Sequence, residues 1–235
     1  MINFTEKINP GDVIAVGDIH ARYDILDGFL EWVKGSGARV ILLGDVIDRG
    51  GEDMDVLDRI KTLLDDPEAW GLESFSMVRG NHEQLFIDAM LETDRYSMTD
   101  WIGNGGNIEK ILDMSRNHLG WLHSLPAMIT VGDTMFVHAG VVPGVDPQVT
   151  LNDTGLDKLV WIREPFLTLG PKLDKWTNTI KKVVHGHSIQ ENLPDVGNQR
   201  VGIDTGAFYT GILTTYNATQ DTYHQIVKPA NPLYR

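Results

Sequence analysis

The chain has 235 residues, 42% hydrophobic and 23% charged, an ordinary globular composition, and residues 1–235 are expected to form one large α/β domain. It has no cysteine, which excludes disulfides and thiolate metal sites, and no apolar run near the ~20 residues that span a bilayer. A formal net charge of −13 argues against nucleic-acid binding, which depends on Lys and Arg neutralising phosphates.

The first residues lack a basic segment followed by an apolar one, so no secretory signal is expected and a cytoplasmic location is the default. Residues 13–16 form a short apolar run ending in Gly17-Asp18, which predicts a buried strand. Leu26, Phe29, Leu30 and Val33 then recur at helical spacing, and Gly35-Ser36-Gly37 stops that helix. A second strand, residues 40–43, runs into Gly44-Asp45. Val56, Leu57, Ile60, Leu63 and Leu64 mark a second helix, stopped near Asp66-Pro67. A third strand, residues 75–78, reaches Gly80-Asn81-His82, and Leu85, Phe86, Ala89 and Met90 give a third amphipathic helix. Residues 97–126 are less regular: Trp101, Gly103, Gly105 and Gly106 suggest a turn, followed by helices near 108–114 and 118–125. The later chain reads mostly as strands, at 128–131, 135–137, 183–184, 200–203, 212–216 and 223–227, with a hairpin at Gly132-Asp133. Residues 217–235 carry no motif.

The opening β-α-β-α-β order implies parallel strands joined by right-handed crossovers, with ligands bound beyond the carboxyl ends of the strands. Hairpins later in the chain predict a mixed sheet, or two packed sheets with helices outside. All three early strands end in glycine followed at once by a ligand-type residue.

Asp18 and His20 lie two apart on a segment expected to be extended, which would project both side chains to one side. Asp45 and Asn81 end the neighbouring strands, and His138 and His185-Gly186-His187 follow later ones. Such an N/O set suits Mn, Fe, Zn or similar metals, and one carboxylate can bridge two cations ~3.5–4 Å apart. Bound cations would also reverse the repulsion that so acidic a chain exerts on a phosphate ester. Each fragment has an ordinary reading as well. Asn81 could cap the helix that follows with Gln84 as its reciprocal partner, His138 could be a core histidine, and the last pair could sit in a turn. Those readings do not explain five polar clusters placed just after apolar strands.

Gly17-Asp18-Ile19-His20, Gly44-Asp45-Val46-Ile47-Asp48-Arg49-Gly50, Gly80-Asn81-His82-Glu83, His138-Ala139-Gly140 and Gly186-His187 resemble, in order, the motifs of the phosphoprotein phosphatase family of metallophosphoesterases. The likeness spans about residues 13–205 and is strongest to the small phage and bacterial members. Asn104-Gly105-Gly106 and Trp161-Ile162-Arg163-Glu164 resemble segments of the same proteins. The resemblance implies a sandwich of two mixed sheets flanked by helices, with two divalent metal ions at the strand ends, Mn²⁺ foremost and Fe, Zn, Ni or Co as alternatives. It assigns Asp18, His20 and Asp45 to the first metal, Asp45 as the bridge, and Asn81, His138 and His187 to the second; His185 is set aside because the family ligand follows the glycine. One departure stands out: Ala21 replaces the family's glycine, and a positive φ there would strain the backbone.

The chemistry so implied is phosphomonoester hydrolysis by a metal-bridging hydroxide in direct in-line attack. His82 would protonate the leaving oxygen, Asp48 would fix its tautomer, and Arg49 and Arg163 would grip phosphate oxygens. A phosphorylated protein or peptide is the expected partner, with phosphoserine and phosphothreonine ahead of phosphotyrosine. Hydrolysis of symmetrical dinucleoside tetraphosphates is the alternative, disfavoured by His20 and Glu83 where those enzymes resemble Gly-Asp-x-Gln and Gly-Asn-His-Asp. A catalytically silent phosphoprotein-binding module is a third, but no ligand or acid is missing. Oligomeric state is not readable from the sequence.

Overall fold

Consecutive apolar residues fill the early strands because both faces of those strands are covered. The computed structural model describes residues 3–4, 7–91, 95–190, 192–197 and 199–231. In chain order its first strands are β1 (Asn3–Phe4), β2 (Val13–Val16), β3 (Arg39–Leu42), β4 (Ser74–Met77), β5 (Met128–Val131) and β6 (Thr134–Val137). They are followed by β7 (Lys182–His185), β8 (Asp195–Gly197), β9 (Arg200–Gly202), β10 (Ile212–Asn217) and β11 (Thr222–Val227). One sheet has the order β1-β11-β10-β2-β3-β4 and the other β5-β6-β7-β9-β8. β2, β3 and β4 run parallel, as do β6, β7 and β9, while β10 pairs antiparallel with β2, and β5 and β8 close the second sheet antiparallel. Both sheets are therefore mixed, and helices cover them, as expected.

Alternation along each strand divides the core into layers. Ala15, Ile41, Phe136, Val184, Val201 and Tyr216 meet between the sheets. Ile14, Val16, Val40 and Leu42 face the other way, onto α1 (Tyr23–Val33) and α2 (Asp53–Asp65) through Leu26, Phe29, Leu30, Val56, Leu57 and Ile60. Each such side chain, fully buried, contributes about 1.5–3 kcal/mol. On the outer face of the second sheet, Met135, Val137 and Val183 pack against Leu159, Ile162 and Phe166.

The middle of the chain departs from expectation. After α3 (Asn81–Leu91), residues around Trp101 form a helix, α4 (Arg95–Gly103), rather than a turn. The two helices expected near 108–125 are a one-turn 3₁₀ segment and a single helix, α5 (Ile111–His123). Its buried stripe is Met114, His118 and Leu122, and the polar His118 interrupts it on paper. Four further helices were not expected, three of them before β7: α6 (Pro147–Thr154), α7 (Asp157–Trp161) and α8 (Phe166–Leu169). The start of α6 was readable, since Asp146 caps it by accepting from the Gln148 N–H at 2.8 Å and Pro147 opens it. Its weak apolar stripe hid the rest. A last short helix, α9 (Ala207–Thr210), precedes β10. Among the described residues no helix is long and apolar enough to cross a membrane.

Candidate metal centre and active site

Parallel strands that start together also end together, so the residues just past β2, β3, β4, β6 and β7 gather at one edge of the sandwich. Asp18, His20, Asp45, Asn81 and His187 line a cavity of about 410 Å³ there, with Arg49, His82, Asn104, Trp161, Arg163, Ile189 and Asp204. The glycines ahead of the polar residues are needed because the strand ends nearly touch. A Cβ on Gly80 would lie 2.3 Å from Asp45 Oδ1, and one on Gly44 2.5 Å from Gly80 N.

The loop backbones are strained. His20, Ala21, Asp45, Asp48, Arg49 and His187 all have φ between 49° and 68°. Each such L-residue costs roughly 1–2 kcal/mol and persists only where surrounding bonds over-determine it. Here Asp45 O accepts from the Ile19 and His20 N–H groups at 3.1 and 2.9 Å, and Val46 O from Ala21 N–H at 2.7 Å. The chain therefore turns at His20 and is not extended there as expected. Ala21 adopts the positive φ, 51°, that its replacement of glycine made costly.

The candidate ligands fall into two groups that share Asp45. Donor atoms of Asp45, His138 and His187 lie within 4.8 Å of one another, as do those of His20, Asp45 and His82. Asp45 Oδ1 faces the first group, 3.3 Å from His138 Nε2, and Oδ2 the second, 3.7 Å from His20 Nε2. Asn81 belongs with the first: its Oδ1 is 2.8 Å from His138 Nε2 and 2.9 Å from His187 Nδ1. That contact replaces the capping role open to Asn81, and Gln84 instead accepts from Arg79. Asp18 lines the same cavity, and its carboxylate accepts from the backbone N–H of His187, a residue of the first group, at 3.1 and 3.3 Å.

The donor set fits divalent cations. Nδ1 of His20 donates to Ile47 O at 3.0 Å and Nδ1 of His138 to Leu43 O at 2.7 Å, which leaves each Nε2 to offer a lone pair to the cavity. Around Asn81 Oδ1, acceptor atoms thus outnumber protons, and His138 bonds it only as the doubly protonated ring. Burial opposes that charge on His138, but the Asp45 carboxylate, the Leu43 carbonyl and Glu83 together outweigh it and raise the pKa. A cation satisfies these atoms together. Burial drives His187 down to about 3 and His20 well below the usual imidazole range, the neutral state that ligation needs. Buried His187 Nε2 has no hydrogen-bond partner among the described residues. Asp18 is pushed well above the usual carboxylate range by burial, then by Asp204 and Asp45, so the site holds more negative charge than its own cations offset.

His82 is fully buried, its Nδ1 2.7 Å from Asp48 Oδ2 and its Nε2 2.9 Å from Arg49 Nη2. Burial raises Asp48 to about 6, against the bonds from His82 and Trp101 that stabilise its charge. Arg49 also reaches His20 Nε2 at 3.1 Å and lies over the Phe208 ring, its guanidinium carbon 4.9 Å from the centroid. Arg163 is exposed and follows α7, and it lines the same cavity. His185 does not line it: the ring packs edge-on against Phe166 at 5.1 Å and meets Arg200 at 3.4 Å. Arg79 ties α3 to the end of α5 through Gln84 and the carbonyls of His123 and Leu125.

Glu83 and Asp204 are site residues that the sequence reading did not assign. Glu83 is buried and accepts the Asp45, Val46 and Gly80 N–H groups at 2.8, 2.9 and 2.9 Å, so one side chain stitches two ligand loops together. Glu83→Gln turns an NH₂ toward at least one of those donors. We expect a loss of about 2 kcal/mol, read by calorimetry as a Tm lower by roughly 4–8 °C; an unchanged Tm refutes the stitching role. Asp204 follows β9 as Asp18 follows β2, and the Gly206 N–H holds its Oδ1 at 2.9 Å. Burial raises its pKa to about 6. The signal was present, a polar residue after an apolar strand, but Ile203 separates it from Gly202.

Residues 11–206 match the family model described as calcineurin-like phosphoesterase. Serine/threonine-protein phosphatase 2 of Escherichia coli (strain K12) is 30% identical over 212 residues, 86% of this chain and 90% of that protein. A symmetrical bis(5'-nucleosyl)-tetraphosphatase of Dechloromonas aromatica (strain RCB) is 32% identical over 133 residues, 55% of this chain and 44% of its own. Among solved structures, a cold-active protein-tyrosine phosphatase of a psychrophilic Shewanella shares the fold with a TM-score of 0.62 at 18% identity, covering 95% of this chain and 83% of that one. With the family model spanning most of the chain and its motif residues gathered in one cavity, the chain belongs to the calcineurin-like phosphoesterases, the metallophosphoesterase family.

Proposed function

We propose that the chain is a phosphoprotein phosphatase that hydrolyses phosphoserine and phosphothreonine esters, with phosphotyrosine as a secondary substrate. The observation that carries the reading is the pairing of two candidate ligand groups, joined through Asp45, with the buried His82–Asp48 pair at the same cavity. Asp18, His20 and Asp45 would hold one divalent cation, and Asp45, Asn81, His138 and His187 a second, with Mn²⁺ the first choice. When bound, such cations supply Lewis acidity that activates water and neutralises charge on the phosphoryl group. His82 delivers a proton from Nε2 to the departing oxygen, while Asp48 keeps Nδ1 protonated and the ring aimed. In that step Arg49 must leave the imidazole nitrogens it touches, and its planar fork then takes phosphate oxygens from one side. Arg163, on the rim, takes them from the other.

Phosphoprotein comes first because the similarity to the Escherichia coli phosphatase runs along nearly the whole chain. Hydrolysis of symmetrical dinucleoside tetraphosphates is the second reading, supported by the shorter similarity to the Dechloromonas enzyme. A phosphoserine peptide and diadenosine tetraphosphate, compared at matched concentrations with Mn²⁺, separate the two. We expect the higher kcat/KM on the peptide; the reverse ranking overturns the first reading in favour of the second.

A further inference from the structure

Both carboxylate oxygens of Asp48 are committed, one of them to a residue outside the family motifs. His82 Nδ1 lies 2.7 Å from Oδ2, and the Trp101 indole N–H donates to Oδ1 at 3.0 Å. Trp101 is fully buried and Asp48 is 1% exposed, so water does not substitute for either bond. An indole N–H only donates, which forces Asp48 to act there as an acceptor. The ring is clamped: a Cβ on Gly106 would sit 2.3 Å from it, and Phe86 packs at 5.5 Å between centroids. The same segment braces the next residue. Arg49 N–H donates to Gly105 O at 3.2 Å, and a Cβ on Gly105 would come within 2.9 Å of Arg49 Cγ.

We propose that Trp101 is a positioning residue for proton transfer: its N–H holds the Asp48 carboxylate in the one orientation that keeps His82 directed at the leaving oxygen. The inference rests on the reading of His82 as proton donor. An indole that merely fills space predicts something different, because losing it would disturb all substrates alike. Loss of a proton donor falls selectively on poor leaving groups, whose oxygen cannot depart as the anion.

The test compares Trp101→Phe with wild type and His82→Asn on para-nitrophenyl phosphate, a good leaving group, and phenyl phosphate, a poor one, in Mn²⁺. For Trp101→Phe we expect the ratio of the two kcat values to shift roughly 10-fold against phenyl phosphate, the low end for one hydrogen bond to a charged carboxylate. Metal content should be unchanged, and in the diamagnetic Zn²⁺-loaded protein the Nδ1 proton resonance of His82 should move in the NMR spectrum. A shift for His82→Asn but none for Trp101→Phe overturns the role of Trp101 alone. No shift for His82→Asn removes the proton-donor reading and this inference with it. If Trp101→Phe fails to fold, benzothienylalanine at position 101 keeps the shape and deletes only the N–H. The same ratio shift supports the proposal, and an unchanged ratio overturns it.

Discussion

Exhaustive chelation should abolish turnover of para-nitrophenyl phosphate, and Mn²⁺ should restore it with two ions bound per chain. The expectation follows from charge. The chain carries −13 overall and buries Asp18, Asp45 and Asp204 in one cavity, where Asp18 is already forced toward its protonated form. Such a cavity repels a phosphate dianion until cations reverse its sign. The chain also has no cysteine, so no thiolate is available to attack phosphorus. Each bound ion should also stabilise the fold, by about 2.7 kcal/mol at a free ion concentration 100 times its Kd, or roughly 5–10 °C in Tm per ion for a chain of this size. Calorimetry with and without Mn²⁺ measures that increment independently of turnover. Full activity in the rigorously chelated protein sinks the two-metal proposal.

How much of this was legible depended on whether a residue's role is set locally. Asp45 was readable because a glycine, an apolar strand and a carboxylate in sequence define a strand end, and parallel pairing carries that end to the common edge. Asn81 follows the same rule, whereas the choice of His187 over His185 came from the family resemblance. Asp204 obeys it imperfectly, one residue further from its glycine, and passed unread. Trp101 could not be found this way. Its bond to Asp48 spans 53 positions and exists only because α4 packs where it does, and α4 has too irregular an apolar pattern to be recognised as a helix. Glu83 is an intermediate case. Its motif position was plain, but its three backbone bonds depend on the contact between the ends of β3 and β4. Strain was legible at only one position, Ala21, through its departure from a glycine. The other left-handed residues, His20, Asp45, Asp48, Arg49 and His187, are types that sequence alone gives little reason to suspect.

Replacing His82 with Asn should slow hydrolysis of phenyl phosphate or a phosphoserine peptide by ~10²–10⁴-fold, the usual size of a general-acid contribution, while both metal ions remain bound. The second half of that expectation separates acid from ligand, and the structure makes it a real question. His82 offers an atom to the group containing His20 and Asp45, with Nε2 3.9 Å from Asp45 Oδ2. Two features argue for the acid. Its Nδ1 is held at 2.7 Å by the Asp48 carboxylate, which keeps the proton on Nδ1 and the ring aimed, whereas His20 and His138 use neutral carbonyls for the same bond. Arg49 Nη2 sits 2.9 Å from Nε2, and both side chains line the cavity. Asn keeps a hydrogen-bonding group near Asp48 but cannot donate an acidic proton, so kcat should fall far more than KM rises. Metal analysis of the purified variant decides the matter: loss of one ion would make His82 a ligand, and retention of both with a collapsed kcat leaves proton transfer as its task.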